Sequence, residues 1–395
     1  MDNKYTIPLI KDTFFNENET KRELANFILS SHQLSMGEIC AEFENDFANY
    51  QGRNNAILFN SGSSANLALL QALKNLGLFM EGDKIGFSAL TWSTNVMPII
   101  QLGFIPIAID CDVRTLNVMS YTLEERLKEN EIKALFITNV LGFAGDLEVI
   151  KKICDEKNII LLEDNCESLG TILTSGRTGN FGFASTFSFY VAHHISTIEG
   201  GMVCTDDENL ADMLRIVRAH GWDRNLKEAK QTELRKKYKI ENDFFSKYSF
   251  YDLGYNLRPT EITGFIGNYQ LKFLEYIIKQ RAKNFEILKQ VVANNDDLLS
   301  VNTSHIQTIS NFAFPVICKS ILKREKYIQR FNKAGVEVRP IIAGNVLRQP
   351  FFHKYCKTKF NLSNSNHIHE CGFYFGNYPE LTENDLSVLK DCLRK

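Results

Sequence analysis

The chain has 395 residues, with 45 lysines and arginines against 47 aspartates and glutamates and a formal net charge of −2. With 44% apolar and 23% charged residues, disorder is excluded as the dominant state, and the clustered basic excess of a nucleic-acid-binding protein is missing. At about 150 residues per domain, the length fits two domains, expected over 1–250 and 251–395.

The N-terminus (MDNKYTIPLIKD) has no charged segment leading into a sustained apolar run, so a signal peptide is not expected. No apolar stretch approaches the ~20 residues that span a bilayer, and a cytoplasmic chain is expected. The nine cysteines are scattered, with no C-x₂₋₄-C pair for zinc and no cluster for iron–sulfur. They read as small buried hydrophobes.

Along the chain, Ala56–Phe59, Ile85–Phe87, Ile105–Ile109, Ala134–Val140 and Ile159–Leu162 read as buried strands. Helical patterns fall between them, after Ser63, after Ser93, through Leu123–Lys128 and through Leu147–Cys154. This alternation predicts an α/β fold, a mostly parallel sheet with helices on both faces. Ligands bind such sheets outside the carboxyl ends of the strands. After about residue 222 the pattern changes. Lys227–Lys239 reads as a solvated helix or loop, and Glu261–Val292 as one long helical stretch. Phe312–Ile317 is a strand candidate, and Ile321–Ala334 and Glu383–Leu393 are helices. Together they suggest a smaller C-terminal α+β domain.

Four polar segments follow predicted strands or open predicted helices. Asn60-Ser61-Gly62-Ser63-Ser64 feeds a helix N-terminus, which either caps the helix or binds an anion. Glu163-Asp164-Asn165-Cys166-Glu167 closes the fifth strand, and a carboxylate there can bind a metal, a ribose hydroxyl or a protonated ring nitrogen. Ser188-Phe189-Tyr190-Val191-Ala192-His193-His194 leads to a glycine turn. If that segment is extended, the two histidines point to opposite faces and only one meets a site. Gly254 to Glu261 contains Asn256 and Arg258 and opens the long helical stretch.

These segments together resemble the fold-type I pyridoxal-phosphate enzymes that act on nucleotide-linked 4-keto sugars, the sugar aminotransferase and dehydratase family (DegT/DnrJ/EryC/StrS type). The resemblance runs from Gly37-Glu38 to Arg339-Pro340. It implies an aspartate-aminotransferase-like fold. It also implies that Gly62, Ser63, Ser64 and Ser188 hold the cofactor phosphate, that Asp164 pairs with the pyridinium nitrogen, and that Glu167 lies near the ring hydroxyl. Trp92 falls where an aromatic stacks on the cofactor. Asn256 would reach the cofactor of a neighbouring subunit, which implies a homodimer with shared active sites.

Aminotransferases of this family carry Ser-Phe-x-x-x-Lys, and the lysine bonds covalently to the cofactor. Here the same count from Ser188 ends on His193. Histidine cannot make that bond but is a good acid/base near neutral pH. The substitution resembles the sugar 3-dehydratase branch. It implies a non-covalent pyridoxal 5′-phosphate/pyridoxamine 5′-phosphate cofactor, L-glutamate as amino donor, and His193 as catalytic acid/base. The implied substrate is a nucleotide-diphosphate 4-keto-6-deoxy sugar, GDP-4-keto-6-deoxy-D-mannose first, in deoxysugar synthesis for surface polysaccharide. Alternatives are a CDP- or dTDP-linked sugar, or 4-amination. A related branch holds an iron–sulfur cluster on clustered cysteines after the His-His segment and needs a reductase. No cysteine lies between Cys204 and Cys318, so neither cluster nor reductase is expected. His220 reads either as a second imidazole near the sugar or as a helix-end cation. Arg258 and Arg339 read as ligands for a carboxylate or diphosphate, or as surface ion pairs.

Overall fold

The computed structural model describes residues 5–395. The strands, in chain order, are β1 (Asn55–Phe59), β2 (Lys84–Ser88), β3 (Ile105–Ile109), β4 (Ala134–Thr138), β5 (Ile160–Asp164), β6 (Ile172–Leu173), β7 (Gly176–Arg177), β8 (Ala184–Ser188), β9 (Gly201–Thr205), β10 (Leu298–Leu299), β11 (Ile306–Thr308), β12 (Ala313–Cys318), β13 (Val338–Arg339) and β14 (Gly372–Gly376). A seven-stranded sheet in the order β1-β9-β8-β5-β4-β2-β3 forms the main body. Only β9 runs against its neighbours, so the carboxyl ends of β1, β2, β4, β5 and β8 share one edge.

The continuous apolar strands follow from cover on both faces. Along β4, Ala134 and Phe136 pack among the helices Gly62–Asn75, Ser93–Gln101 and Glu208–Arg218, while Leu135 and Ile137 pack toward Ser120–Leu127 and Leu147–Glu156. Along β1, Ile57 and Phe59 share the first of these cores, while Ala56 and Leu58 meet Phe43 and Phe47 of helix Glu38–Gln51. The period of two places every second side chain in each layer.

Several expectations need correction. The strand read over Ala134–Val140 ends at Thr138, and a 3₁₀ turn (Val140–Gly142) follows. The long stretch over Glu261–Val292 is two helices, Glu261–Leu271 and Leu274–Ala293, parted at Lys272-Phe273. There the Phe273 N–H bonds three residues back to the Gln270 carbonyl (3.0 Å). The split re-aims the chain, so that Leu274–Ala293 starts in the core it shares with Glu38–Gln51 (Leu274, Ile277, Ile278) and ends in the second core (Phe285, Leu288). Glu261–Leu271 lies against Glu38–Gln51 so closely that a Cβ on Gly264 would stand 2.8 Å from the Cys40 backbone. The Glu261 carboxylate accepts the Gly37, Ile39 and Cys40 N–H groups at 2.8–3.0 Å, capping that neighbouring helix. Residues just past 250 therefore pack on the first body, while Phe285 and Leu288 of helix Leu274–Ala293 join a core shared with β12 and β14.

The second body is the antiparallel sheet β10-β12-β14-β13 with helices Ile321–Lys333 and Glu383–Leu393. Lys227–Lys239 contains a helix (Glu228–Lys237) with no buried residue, as its charge suggests. Among the described residues no helix is long and apolar enough to cross a membrane.

Candidate active site

A cavity of ≈ 360 Å³ opens at the shared carboxyl edge of the large sheet, within the size range of small-molecule sites. Each strand end contributes to it. After β1 come Ser61, Gly62 and Ser63; after β2, Trp92 and Asn95; after β5, Asp164, Cys166 and Glu167; from β8 onward, Ser188, Tyr190, His193 and Glu199. Phe312, Ile342 and Tyr374 of the second body close the other side.

At one part of the cavity wall the helix Gly62–Asn75 presents its N-terminus. The Ser61 hydroxyl caps it by accepting the Ser64 N–H (3.1 Å). The first N–H groups of a helix have no intrahelical acceptor and favour an anion. Gly62 allows the close approach, since a Cβ there would stand 2.6 Å from the Ser188 Cβ. Gly62, Ser63 and Ser188 line the cavity. Ser64 does not: its hydroxyl lies 2.9 Å from that of Ser61, inside the cap.

Asp164 is buried at the end of β5. Its Oδ2 accepts the side-chain amides of Asn66 (2.9 Å) and Asn95 (2.7 Å), and its Oδ1 accepts the Cys166 N–H (2.9 Å). These bonds fix the orientation of the carboxylate at the cavity, where it can pair with a cationic ring nitrogen. Glu167 is buried too, its Oε2 accepting the Leu141 N–H (2.7 Å). Burial pushes its carboxyl up to about 8, so it keeps a proton at neutral pH and can donate to a ligand oxygen. The Trp92 ring is 54% exposed at the cavity. An anion cradle, an acceptor for a ring cation, a proton donor and an open aromatic face match the chemical groups of pyridoxal phosphate.

His193 faces this cavity and His194 does not. The expected separation of the pair holds, but not for the expected reason. The segment after β8 is a turn, closed by His193 N–H to the Tyr190 carbonyl (2.8 Å), rather than an extended strand. His194 is buried with Nε2 2.7 Å from the Ser310 carbonyl. Burial drives the His193 imidazole down to about 4, with Asp164 pulling the other way and Arg281 adding to the depression. The ring is neutral near pH 7, as a base requires, and no group among the described residues hydrogen-bonds its Nδ1.

Four predicted residues lie elsewhere. Asn256 and Arg258 line a separate cleft of ≈ 370 Å³ with Met36, Trp222 and Arg224. His220 packs its ring 5.0 Å from Trp222 and has a left-handed backbone (φ 60) just past helix Glu208–Arg218. Arg339 is exposed on β13, paired with Glu337 (2.6 Å) and in register with the cavity residue Tyr374. Sequence reasoning missed Asn66, Asn95, Phe312 and Tyr374. The two asparagines carry a usable signal, polar residues one turn inside apolar helices that begin at strand ends. The two aromatics carry none, because they arrive from another body.

This architecture and site define a fold-type I pyridoxal-phosphate enzyme. The sequence pattern of the DegT/DnrJ/EryC1/StrS aminotransferase family matches residues 16–394, and the chain belongs to that family. It is 34% identical to the GDP-4-keto-6-deoxy-D-mannose 3-dehydratase of Yersinia pseudotuberculosis, over 98% of each chain. A crystal structure of GDP-4-keto-6-deoxymannose-3-dehydratase with a trapped PLP-glutamate geminal diamine matches with a TM-score of 0.90 at 33% identity, covering 98% of this chain and 100% of the other. Another, with bound GDP-perosamine, matches at 0.88 and 32% identity, covering 98% and 100%. A Helicobacter pylori aminotransferase, at 20% identity over 98% and 97% of the chains and a TM-score of 0.81, shares the fold.

Proposed function

We propose that this chain is a lyase that removes the C3 hydroxyl of a nucleotide-linked 4-keto-6-deoxy sugar, GDP-4-keto-6-deoxy-D-mannose foremost, and leaves the 3-deoxy-4-keto sugar. The observation that carries the reading is His193. A neutral imidazole, not a lysine, faces a cavity otherwise built for pyridoxal phosphate. The likeness to the 3-dehydratases over nearly the whole chain supports it.

Bound pyridoxamine phosphate supplies the amine that joins the C4 ketone and a ring that draws electrons from the reacting carbons. Asp164 keeps that ring nitrogen cationic. The helix N-terminus at Gly62–Ser63 and the Ser188 hydroxyl hold the phosphate, and the Trp92 face orients the ring. His193 takes up one proton as a neutral base and, once protonated, returns it to the departing C3 oxygen. Glutamate restores the amine. In the net balance, sugar and glutamate give the 3-deoxy sugar, 2-oxoglutarate and ammonia.

The reading extends to a cytoplasmic homodimer with shared sites, serving surface-polysaccharide synthesis. It needs no iron–sulfur cluster and no reductase. The test is mass analysis of products from GDP-, CDP- and dTDP-4-keto-6-deoxy sugars with glutamate. The expected outcome is a 3-deoxy-4-keto product and ammonia from the GDP sugar without added reductase. A stable 4-amino sugar would sink the reading in favour of transamination.

A further inference from the structure

A lysine bonded to the cofactor is held in place by that bond. A histidine in its position needs another anchor, and the local sequence around His193 offers its N–H bond to Tyr190 and the Ser188 backbone beside the imidazole. The remaining restraints come from the second body. Arg281, in helix Leu274–Ala293, is 5% exposed. It donates to the Phe312 carbonyl (2.8 Å) and to the His193 carbonyl (3.4 Å). The Phe312 ring in turn meets the His193 imidazole edge-on, centroids 5.6 Å apart at 80°. Asn377 bonds the Arg281 carbonyl (3.0 Å) and both the carbonyl and the side chain of Asn311 (3.3 and 3.1 Å), fixing the same strut from behind.

We propose that Arg281 is a positioning residue for His193: it ties the backbone that carries the imidazole to the backbone that carries Phe312. This rests on His193 being the proton carrier. Burial is the main cause that keeps the imidazole neutral, and the Arg281 charge adds to it. Arg281 does not line the active-site cavity; it borders a small polar pocket behind His193, with Asp12 and Glu380. Arg281 forms no ion pair within 4.0 Å among the described residues, and Glu380 is the opposite charge that acts on it across the rear pocket. The groups facing His193 are Asp164, Cys166 and Glu167 beyond β5, Tyr190 and Glu199 of its own loop, and Tyr374 of β14. His194 and Arg281 lie behind, with Lys11, Asp12 and Glu380 around the rear pocket. Asp164 favours the imidazolium and Arg281 opposes it, consistent with the depressed imidazole.

The experiment compares R281K and R281Q with wild type in holoenzyme, following dehydration from pH 3 to 9, cofactor absorbance and the His193 imidazole titration by NMR. R281Q keeps a donor for the carbonyls and loses the charge. Its acidic limb should move up by about one pH unit, along with the imidazole titration. R281K keeps the charge and loses the planar fork. Its limb should stay in place while kcat falls about tenfold to a hundredfold, with KM for the sugar and cofactor absorbance little changed. Profiles that superimpose on wild type in both variants would overturn the proposal, as would a loss of cofactor parallel to the loss of kcat. If a variant fails to fold, F312L reads the same strut: kcat falls with no shift of the limb, and an unchanged kcat overturns the link. H193N run alongside separates the two ideas. If H193N retains full dehydration, the reading of His193 fails; if it is inactive while both Arg281 variants match wild type, only the Arg281 proposal fails.

Discussion

The strand-edge cavity and the Trp222 cleft are each lined by residues from the same short list of motifs, yet they differ in kind. The cavity is enclosed by one chain: five strand ends supply its polar groups and the second body closes it with Phe312, Ile342 and Tyr374. Its central carboxylate already has protein partners, Asp164 being held by Asn66 and Asn95. The cleft is open. Arg224 and Arg258 lie 4.2 and 5.6 Å over the Trp222 ring, and Arg258 Nε donates to Asn256 Oδ1 (3.1 Å). Asn256 is exposed at this cleft. The contrast teaches that a site can be internally preorganised in one half and left for a second molecule to complete in the other. In the proposed homodimer this cleft would meet the partner's cavity, which is what the mixing experiment below tests.

The largest expected effect breaks the cavity itself. His193→Asn should lower dehydration by about 10²–10⁴-fold while cofactor absorbance is retained. His193→Lys should become covalently attached to the cofactor, seen as a borohydride-fixed mass increase that wild type lacks. Next, Asp164→Asn removes the charge that Asn66 and Asn95 were arranged to hold, and dehydration should drop by about 10²–10³-fold together with cofactor retention. An unaffected rate would mean that the carboxylate is structural.

The cleft is tested by Asn256→Ala, with a fall in rate of about tenfold and an unchanged His193 titration. Mixed with the His193→Asn protein and allowed to exchange subunits, it should regain about a quarter of wild-type activity, since mixed dimers carry one intact site. No regain would place the two halves in one subunit and undo the comparison.

The smallest effect concerns acid. His194 is buried and its imidazole lies well below the ordinary value. The unfolded chain therefore binds a proton that the folded chain does not, so this stability is full above the ordinary histidine range and declines as pH falls through it. Lowering the pH from 7.5 to 5.5 should cost about 2–5 °C in Tm, and His194→Gln should flatten the slope. A slope unchanged in that variant would assign the acid sensitivity to other groups.

The sequence by itself determined the order of elements in the first body, because strands buried on both faces read as unbroken apolar runs. It also determined Gly62, Asp164, Ser188 and His193, each placed just past or at the end of such a run, where chain direction alone sends it to the shared edge. Trp92 and Glu167 were named through the family resemblance, and His193 was separated from His194 on the expectation of an extended segment where the chain instead makes a turn. The tertiary structure decided the rest. The break at Lys272-Phe273 re-aims the chain from the first core toward the second, which a single helical periodicity cannot express. Asn66 and Asn95 become meaningful only when their helices converge on Asp164 from 98 and 69 residues away. Phe312, Tyr374 and Arg281 reach His193 through the packing of a second core. Local sequence records what a residue is and which way its own element runs. Contact between distant elements is set by the burial of whole faces, and His193 is positioned by such contact.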